Sequence, residues 1–244
     1  MAAAFWVIKA LTTGLGESTS DYLVHGLPPV LAVALAGVAL VAALALQFAT
    51  RRYVPWVYWL AVAMVGVFGT MAADVLHVGL GVPYLVSTVF FAAALAVVFG
   101  VWFATERTLS IHSIRTPRRE VFYWAAVMAT FALGTAAGDL TAVTSHLGYL
   151  SSGALFAVVI LIPALGYRFF GLNAIVAFWF AYIVTRPLGA SFADWAGVSH
   201  DRGGLDLGPG PVSLALAIMI MTSVVYLTLS HRDSAARQLI ADAA

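Results

Sequence analysis

The chain repeats one pattern four times, and the third copy reads YWAAVMATFALGTAAGD at residues 123–139. In each copy, nine residues separate an aromatic pair from a Gly, and four more separate that Gly from an Asp. The copies are Phe5-Trp6…Gly16…Asp21, Tyr58-Trp59…Gly69…Asp74, Tyr123-Trp124…Gly134…Asp139 and Phe178-Trp179…Gly189…Asp194. Four ungapped copies at identical spacing indicate an internal duplication.

The composition is that of an integral membrane protein. Of the 244 residues, 62% are hydrophobic and 9% are charged, whereas soluble domains have about a quarter charged residues. The expected partners are therefore membrane lipids, and no nucleic-acid partner is expected. The chain has no Cys, which excludes disulfides and thiolate metal ligands. Residues 1–6 lack a positive n-region, so no cleaved signal peptide is expected.

Eight apolar stretches approach the roughly 20 residues that a transmembrane helix needs. They form four pairs, with the pattern on the first helix of each pair, and the repeats are expected at about 4–50, 54–106, 119–170 and 172–231. Two spans return the chain to its starting side, so the repeats are parallel. The sequence predicts a single all-α membrane domain of eight transmembrane helices. A pseudo-fourfold bundle and a two-by-two bundle both stay open, as does a homo-oligomer.

The distribution of Arg predicts the orientation in the membrane. Only Arg202 lies on the side opposite the termini. Nine Arg residues lie on the side that holds both termini: Arg51, Arg52, Arg107, Arg115, Arg118, Arg119, Arg168, Arg232 and Arg237. Because basic loops stay in the cytoplasm, both termini are predicted to be cytoplasmic.

Each part of the pattern has an expected role. The aromatic pair is expected to form a belt at the membrane interface. Gly16, Gly69, Gly134 and Gly189 are each followed four positions later by a small residue, a spacing that lets helices approach closely. The four Asp residues should then lie at a common depth in the interior.

A carboxylate inside a membrane is costly and indicates a functional site. The residue four positions before each Asp shares its helix face. The expected interior site therefore combines the metal-ligand candidates Glu17, Asp21, Asp74, Asp139 and Asp194 with the hydroxyls of Thr70 and Thr135. The fourth repeat has Ala190 at the position of Glu17.

The remaining ionisable groups give weaker signals. His25, His77, His146 and His200 follow the four Asp residues by three to seven positions, which suggests ion capture or a proton relay. The alternative is that they are incidental. Lys9 is expected to extend to the membrane surface, and Arg186 is expected to pair with Glu17 or Asp139.

Five interior carboxylates cannot all be ionised against one or two cations, so protons or a bound cation must compensate them. Carboxylates, hydroxyls and imidazoles suit Mn²⁺, and with His also Fe²⁺ or Zn²⁺. The leading hypothesis is a secondary transporter of a divalent metal cation, coupled to protons. No resident cofactor is predicted, and a divalent metal ion at the carboxylates is the one candidate.

Two other functions stay open. One is a proton-coupled carrier of a small organic solute that contacts Arg186, and the other is a non-transporting assembly or sensor protein. An enzyme is not expected, because the chain has no H-E-x-x-H, G-x-S-x-G or P-loop motif.

Three segments carry a resemblance to a known family: residues 106–114 (ERTLSIHSI), 131–140 (FALGTAAGDL) and 185–195 (TRPLGASFADW). They resemble a family of bacterial multi-pass "membrane-anchored" proteins of unsettled function. The similarity covers most of the chain. It implies a location in the bacterial inner membrane and transfers no catalytic or binding residue.

Overall fold

The computed structural model describes residues 3–50 and 52–229, and no strand occurs among them. Eight long helices follow one another through these residues: α1 Ala3–Gly26, α2 Pro29–Ala49, α3 Pro55–Gly79, α4 Tyr84–Glu106, α5 Pro117–Thr144, α6 Tyr149–Phe169, α7 Ala174–Gly197 and α8 Pro209–Leu229. Seven of the described helices, α2 to α8, are long and apolar enough to cross a membrane. Arg51, His231, Arg232 and Arg237 lie outside the described residues.

Three of these helices depart from regular α-helical geometry. The last turns of α3 and α5 are π-helical, at Val75–Gly79 and Leu140–Thr144. Helix α6 is interrupted at Ile160, between Tyr149–Val159 and Leu161–Phe169. Short 3₁₀ turns occur in the connections at Ile111–Ser113 and His200–Arg202.

The helix ends follow from local chemistry. Pro occupies the first turn of α2, α3 and α5, where its missing N–H costs no hydrogen bond. At the start of α7, the Asn173 side chain accepts hydrogen bonds from the backbone N–H groups of Ile175 and Val176. The chain leaves α4 at Arg107, which has a left-handed φ of 57°.

The helices pack in a closed cyclic order. The four helices that carry the pattern, named here the motif helices, are α1, α3, α5 and α7, and each packs against the next, with α7 returning to α1. The second helix of each repeat packs mainly on the motif helix of the following repeat. Helix α2 thus packs on α3, α4 on α5, α6 on α7, and α8 on α1. Every repeat is therefore completed by its neighbour.

This order separates an inner from an outer ring. Most residues of α3 and α5 are buried, whereas about a fifth of α2, α4, α6 and α8 is buried. The outer helices expose large apolar side chains such as Val38, Val97 and Leu214, which is the surface that lipid tails require. Helix α1, which carries the ionisable residues Lys9, Glu17 and Asp21, lies in the inner ring, away from the lipid-facing surface.

Three of the four Trp residues of the pattern are buried and do not form an interfacial belt. Trp59, Trp124 and Trp179 are at most 4% exposed. Trp179 packs edge-on against Trp102 of α4 and donates a hydrogen bond from Nε1 to the Leu109 carbonyl. The expectation of a lipid-facing belt is wrong for these three residues, because the cyclic packing covers them with the outer helices.

The inner ring is closest where glycines meet. A Cβ on Gly16 would lie 2.8 Å from the backbone carbon of Gly66, and a Cβ on Gly134 would overlap the Cβ of Arg186. A Cβ on Gly189 would lie 2.8 Å from the carbonyl oxygen of Ala10. Three of the four motif glycines thus mark backbone contacts or near-contacts between adjacent motif helices. Gly69 faces the Phe131 side chain, and a Cβ on Gly69 would lie 2.7 Å from the Cβ of Phe131.

We expect Gly16→Ala to lower the free energy of unfolding in detergent by about 1–3 kcal/mol, because the new methyl group meets immobile backbone. Gly100→Ala is the matched control. No atom lies within 4 Å of a Cβ at this helical position in α4, and Ala is the better helix former. Chemical or thermal unfolding followed by Trp fluorescence distinguishes the variants. Equal stability of the two variants would contradict the close contact at Gly16.

Candidate functional site

The interior of the motif helices is built in layers about 6 Å apart, because every fourth residue of a helix lies on nearly the same face. Five such layers run from the end that holds the start of α1, named here the terminal end, to the opposite end. They consist of Phe5, Tyr58, Tyr123 and Phe178; Lys9, Val62, Val127 and Tyr182; Thr13, Gly66, Phe131 and Arg186; Glu17, Thr70, Thr135 and Ala190; and Asp21, Asp74, Asp139 and Asp194. The first and last are named the aromatic layer and the acidic layer.

The aromatic layer closes the terminal end. The rings of Tyr58 and Tyr123 are stacked with their centroids 6.5 Å apart, and their hydroxyls are hydrogen-bonded. The Phe5 and Phe178 rings meet at 6.4 Å. These ring contacts fill the interior at this end of the bundle.

The acidic layer contains a compact group of three potential metal ligands. His77 Nε2 lies 3.0 Å from Asp74 Oδ1 and 3.4 Å from Asp139 Oδ2. One ligand atom from each of the three residues lies within 4.8 Å of the others. The His77 side chain is 1% exposed, whereas those of Asp74 and Asp139 are 25% and 18% exposed. The imidazole of this group is therefore buried, while its two carboxylates are partly accessible at the opposite end of the bundle.

His77 lies in the π-helical turn of α3, three residues after Asp74. This turn begins at Val75, directly after Asp74, and the imidazole of His77 packs against the Tyr84 ring at 4.7 Å. In α1, which has a regular α-helical end, His25 is exposed and its Nδ1 contacts the Asp21 carbonyl. π-helical turns of this kind occur frequently at functional sites.

His146 and His200 do not contact the acidic residues of the interior. His146 is exposed, with a left-handed φ of 55°. His200 is exposed and contacts the Gly204 carbonyl through Nδ1. Of the four histidines considered from the sequence, the structure brings His77 between two of the Asp residues.

Asp21 and Asp194 line a separate small cavity at the opposite end. Its volume is about 190 Å³, and its lining includes Ser18, His25 and Arg202. Arg202 comes from the connection between α7 and α8 and donates a hydrogen bond from Nη2 to the Tyr149 hydroxyl at 2.6 Å. The acidic layer thus consists of one pair of carboxylates with a His and one pair beside an Arg.

Glu17 lies one layer deeper, among hydroxyl groups. The hydroxyls of Thr70 and Thr135 donate to Glu17 Oε2 at 3.2 and 2.9 Å, and they lie 3.1 Å from each other. All three side chains are at most 5% exposed. The equivalent Ala190 contributes no polar group, so the layer is asymmetric.

The expected surroundings of Lys9 and Arg186 were wrong, although Arg186 does lie in the interior. Lys9 does not extend to the surface, because it is fully buried with Nζ 3.6 Å from the centre of the Tyr182 ring. Arg186 forms no ion pair with Glu17, Asp139 or any other described carboxylate. It donates to Thr13 Oγ1 at 3.1 Å and to the Tyr182 hydroxyl at 3.4 Å, and its guanidinium stacks on Phe131.

A larger cavity lies on the outer side of α1 and α7, away from the acidic layer. Its volume is about 780 Å³, and it is lined almost wholly by apolar side chains, with His112 and Tyr167 among the exceptions. The second half of α6 lines it, beyond the interruption at Ile160.

Two features of the interior were absent from the sequence analysis. The first is Lys9, which occupies an interior layer; the signal for this was the four-residue spacing, which continues for two more turns from Glu17 toward the terminal end. The second, Arg202, had no comparable signal, because its connection is irregular and has no counterpart in the other repeats.

A family model described as a Repeat of Unknown Function (DUF347) matches residues 4–53, 57–108, 122–171 and 177–233. This result confirms the fourfold internal repeat. No curated protein and no solved structure matches the chain.

We expect Thr135→Val to reduce the free energy of unfolding by about 1–3 kcal/mol, because Glu17 loses its shortest hydrogen bond in a buried layer. Thr222→Val is the matched control, since the Thr222 hydroxyl bonds only to the Ile218 carbonyl on the lipid-facing side of α8. Unfolding in detergent measures the difference. A Thr135→Val protein as stable as Thr222→Val would show that the bond to Glu17 contributes nothing.

Proposed function

Because the chain belongs to the DUF347 family of repeats of unknown function, we propose a function from its own residues: secondary transport of a divalent metal cation through the acidic layer. The substrate is Mn²⁺ or a similar ion such as Fe²⁺ or Zn²⁺. The observation that carries this proposal is the group Asp74, His77 and Asp139, with ligand atoms within 4.8 Å of one another.

The donor set fits this class of ion. Two carboxylates and one imidazole supply hard and borderline ligands, which Mn²⁺, Fe²⁺ and Zn²⁺ accept. Three protein ligands leave coordination positions for water, as a site that must release its ion requires. The partial exposure of the two Asp side chains supports exchange with the aqueous side.

Transport is favoured over a static structural metal by the position of the group. It lies at one end of an interior that continues inward through the hydroxyls of Thr70 and Thr135 to Glu17. Binding a dication to protonated carboxylates releases protons, which gives a direct route to coupling with a proton gradient. The repeats supply the parts that can move against one another in alternating access.

The membrane arrangement is also part of the proposal. The inner position of α1 supports it as an eighth span, with its charged residues turned away from lipid. The cyclic packing of the motif helices supports a pseudo-fourfold bundle rather than two separate pairs. Arg52, Arg107, Arg115, Arg118, Arg119 and Arg168 supply the positive charge at the terminal end, so we place this end in the cytoplasm of a bacterial inner membrane.

The second candidate function is a carrier of a small organic solute. The apolar cavity of about 780 Å³ favours it, since cavities of this size and lining accommodate small molecules. None of the acidic-layer residues lines this cavity, and metal transport is therefore the first choice.

We expect Asp74→Asn, His77→Gln and Asp139→Asn each to weaken Mn²⁺ binding to the purified protein by at least about tenfold, because each removes a ligand. Isothermal titration or Mn²⁺ electron paramagnetic resonance measures binding. The matched control is Asp206→Asn, an exposed loop position whose left-handed φ of 58° Asn tolerates. Cells expressing any of the three ligand variants should differ from the wild type in metal content, and cells expressing Asp206→Asn should not.

Two results would overturn the metal proposal. One is that the double variant Asp74→Asn/Asp139→Asn binds Mn²⁺, Fe²⁺ and Zn²⁺ each with the same affinity as the wild type. The other is unchanged cellular metal content and tolerance in that variant. Uptake of a solute that depends on a pH gradient and on no metal would instead favour the second candidate.

We expect the His112→Cys protein to react with a membrane-impermeant maleimide only from the cytoplasmic side. The Leu205→Cys protein should react only from the outer side. His112 and Leu205 are exposed and lie at opposite ends of the bundle, and the chain has no native Cys to interfere. Labelling of intact cells and of inverted vesicles is the measurement. The reverse pattern would invert the proposed orientation.

A further inference from the structure

We propose that Lys9 and Arg186 form a fixed positive barrier in the interior, which keeps cations bound at the acidic layer from passing straight through to the terminal end. For the metal ion this inference rests on the proposed function. It assigns a selectivity role to two residues that lie two and three layers away from the acidic layer.

Both basic side chains are buried without an anion to pair with in the part of the chain that the structure describes. Lys9 is 0% and Arg186 is 1% exposed, and neither forms an ion pair within the described residues. Lys9 Nζ and Arg186 Nε have no hydrogen-bond partner there either. An ionisable group inside a membrane is costly, and its retention indicates a function.

Aromatic rings hold the two side chains in place. Lys9 Nζ lies 3.6 Å from the centre of the Tyr182 ring, and the Arg186 guanidinium carbon lies 3.0 Å from that of Phe131. Lys9 Nζ also lies 5.1 Å from the centre of the Phe131 ring. Since ring faces attract cations, the two charges are held together within adjacent layers.

Both residues lie between the binding group and the terminal end. The sequence of layers places four Asp residues at one end, then Glu17, and then Arg186 and Lys9 before the aromatic layer. A cation that has passed Glu17 therefore meets two like charges in a region of low dielectric, where repulsion is strong. Cationic side chains and dipoles exclude cations from other membrane pathways in the same way.

A merely structural role makes a different prediction. Replacing a buried charge by an apolar side chain of similar volume is often neutral or stabilising, and it would then leave ion flux unchanged. Flux, measured beside stability, therefore separates the two roles.

The layer that contains Lys9 and Val62 provides matched variants. Lys9→Met removes the charge and keeps most of the volume, Lys9→Arg keeps the charge, and Val62→Met changes the same layer without altering charge. Lys9 Nζ makes no hydrogen bond, so Lys9→Met should fold. Arg186→Met is the second test, with size-exclusion profiles to check folding because Arg186 also binds Thr13.

The experiment measures flux into vesicles that contain the purified protein. A metal-quenched dye inside reports Mn²⁺ entry, and a pH-sensitive dye in parallel vesicles reports proton entry under a potassium-diffusion potential. We expect Lys9→Met and Arg186→Met to raise both leak rates about tenfold or more, with Lys9→Arg and Val62→Met at the wild-type rate.

Wild-type leak rates in a folded Lys9→Met protein, or an equal rise in Val62→Met, would overturn the barrier. Mn²⁺ binding is measured on the same preparations. If Lys9→Met and Arg186→Met do not raise the leak rates while the wild type binds Mn²⁺, this inference alone is refuted. Absence of Mn²⁺ binding in the wild type would refute the proposed function, while the proton leak would still decide whether the barrier exists.

Discussion

The close approach of the four motif helices is the constraint on which the rest of the structure depends. At Gly16 and Gly66 the backbones of α1 and α3 meet with no room for a Cβ, and at Gly134 the Arg186 side chain occupies the space beside α5. A polar group buried between these layers is costly unless the protein supplies a partner, and the layers differ in this respect, because Lys9 Nζ and Arg186 Nε have no hydrogen-bond partner among the described residues. Glu17 finds two hydroxyls, and Arg186 finds Thr13 and Tyr182.

The repeat made much of this arrangement predictable. Its spacing placed the four Asp residues at one end of the interior and set Glu17, Thr70 and Thr135 in one layer, where hydrogen bonds join them. The prediction succeeded here because helix periodicity is local, and because equal copies in a closed ring must present equal faces.

The remaining features depend on structure that periodicity does not contain. The burial of Trp59, Trp124 and Trp179 follows from the packing of each outer helix on the next repeat, which is a property of the whole ring. The contact of His77 with both Asp74 and Asp139 depends on how α3 and α5 pack, which periodicity does not contain. Arg202 reaches Tyr149 from an irregular connection. Lys9 and Arg186 were predictable, since the same four-residue spacing places them in the interior, yet their charge suggested the surface and an ion pair.

The differences between the copies divide the bundle into two halves. Helices α3 and α5 carry Asp74, His77 and Asp139, and their deeper layers are Val62, Val127, Gly66 and Phe131, which hold no charge. Helices α1 and α7 carry every interior charge beyond the acidic layer: Lys9, Glu17 and Arg186. On the proposed function, one half binds the ion and the other half controls its passage. Four equivalent helices would offer the ion the same environment on every side, and only their divergence provides a binding half and a controlling half.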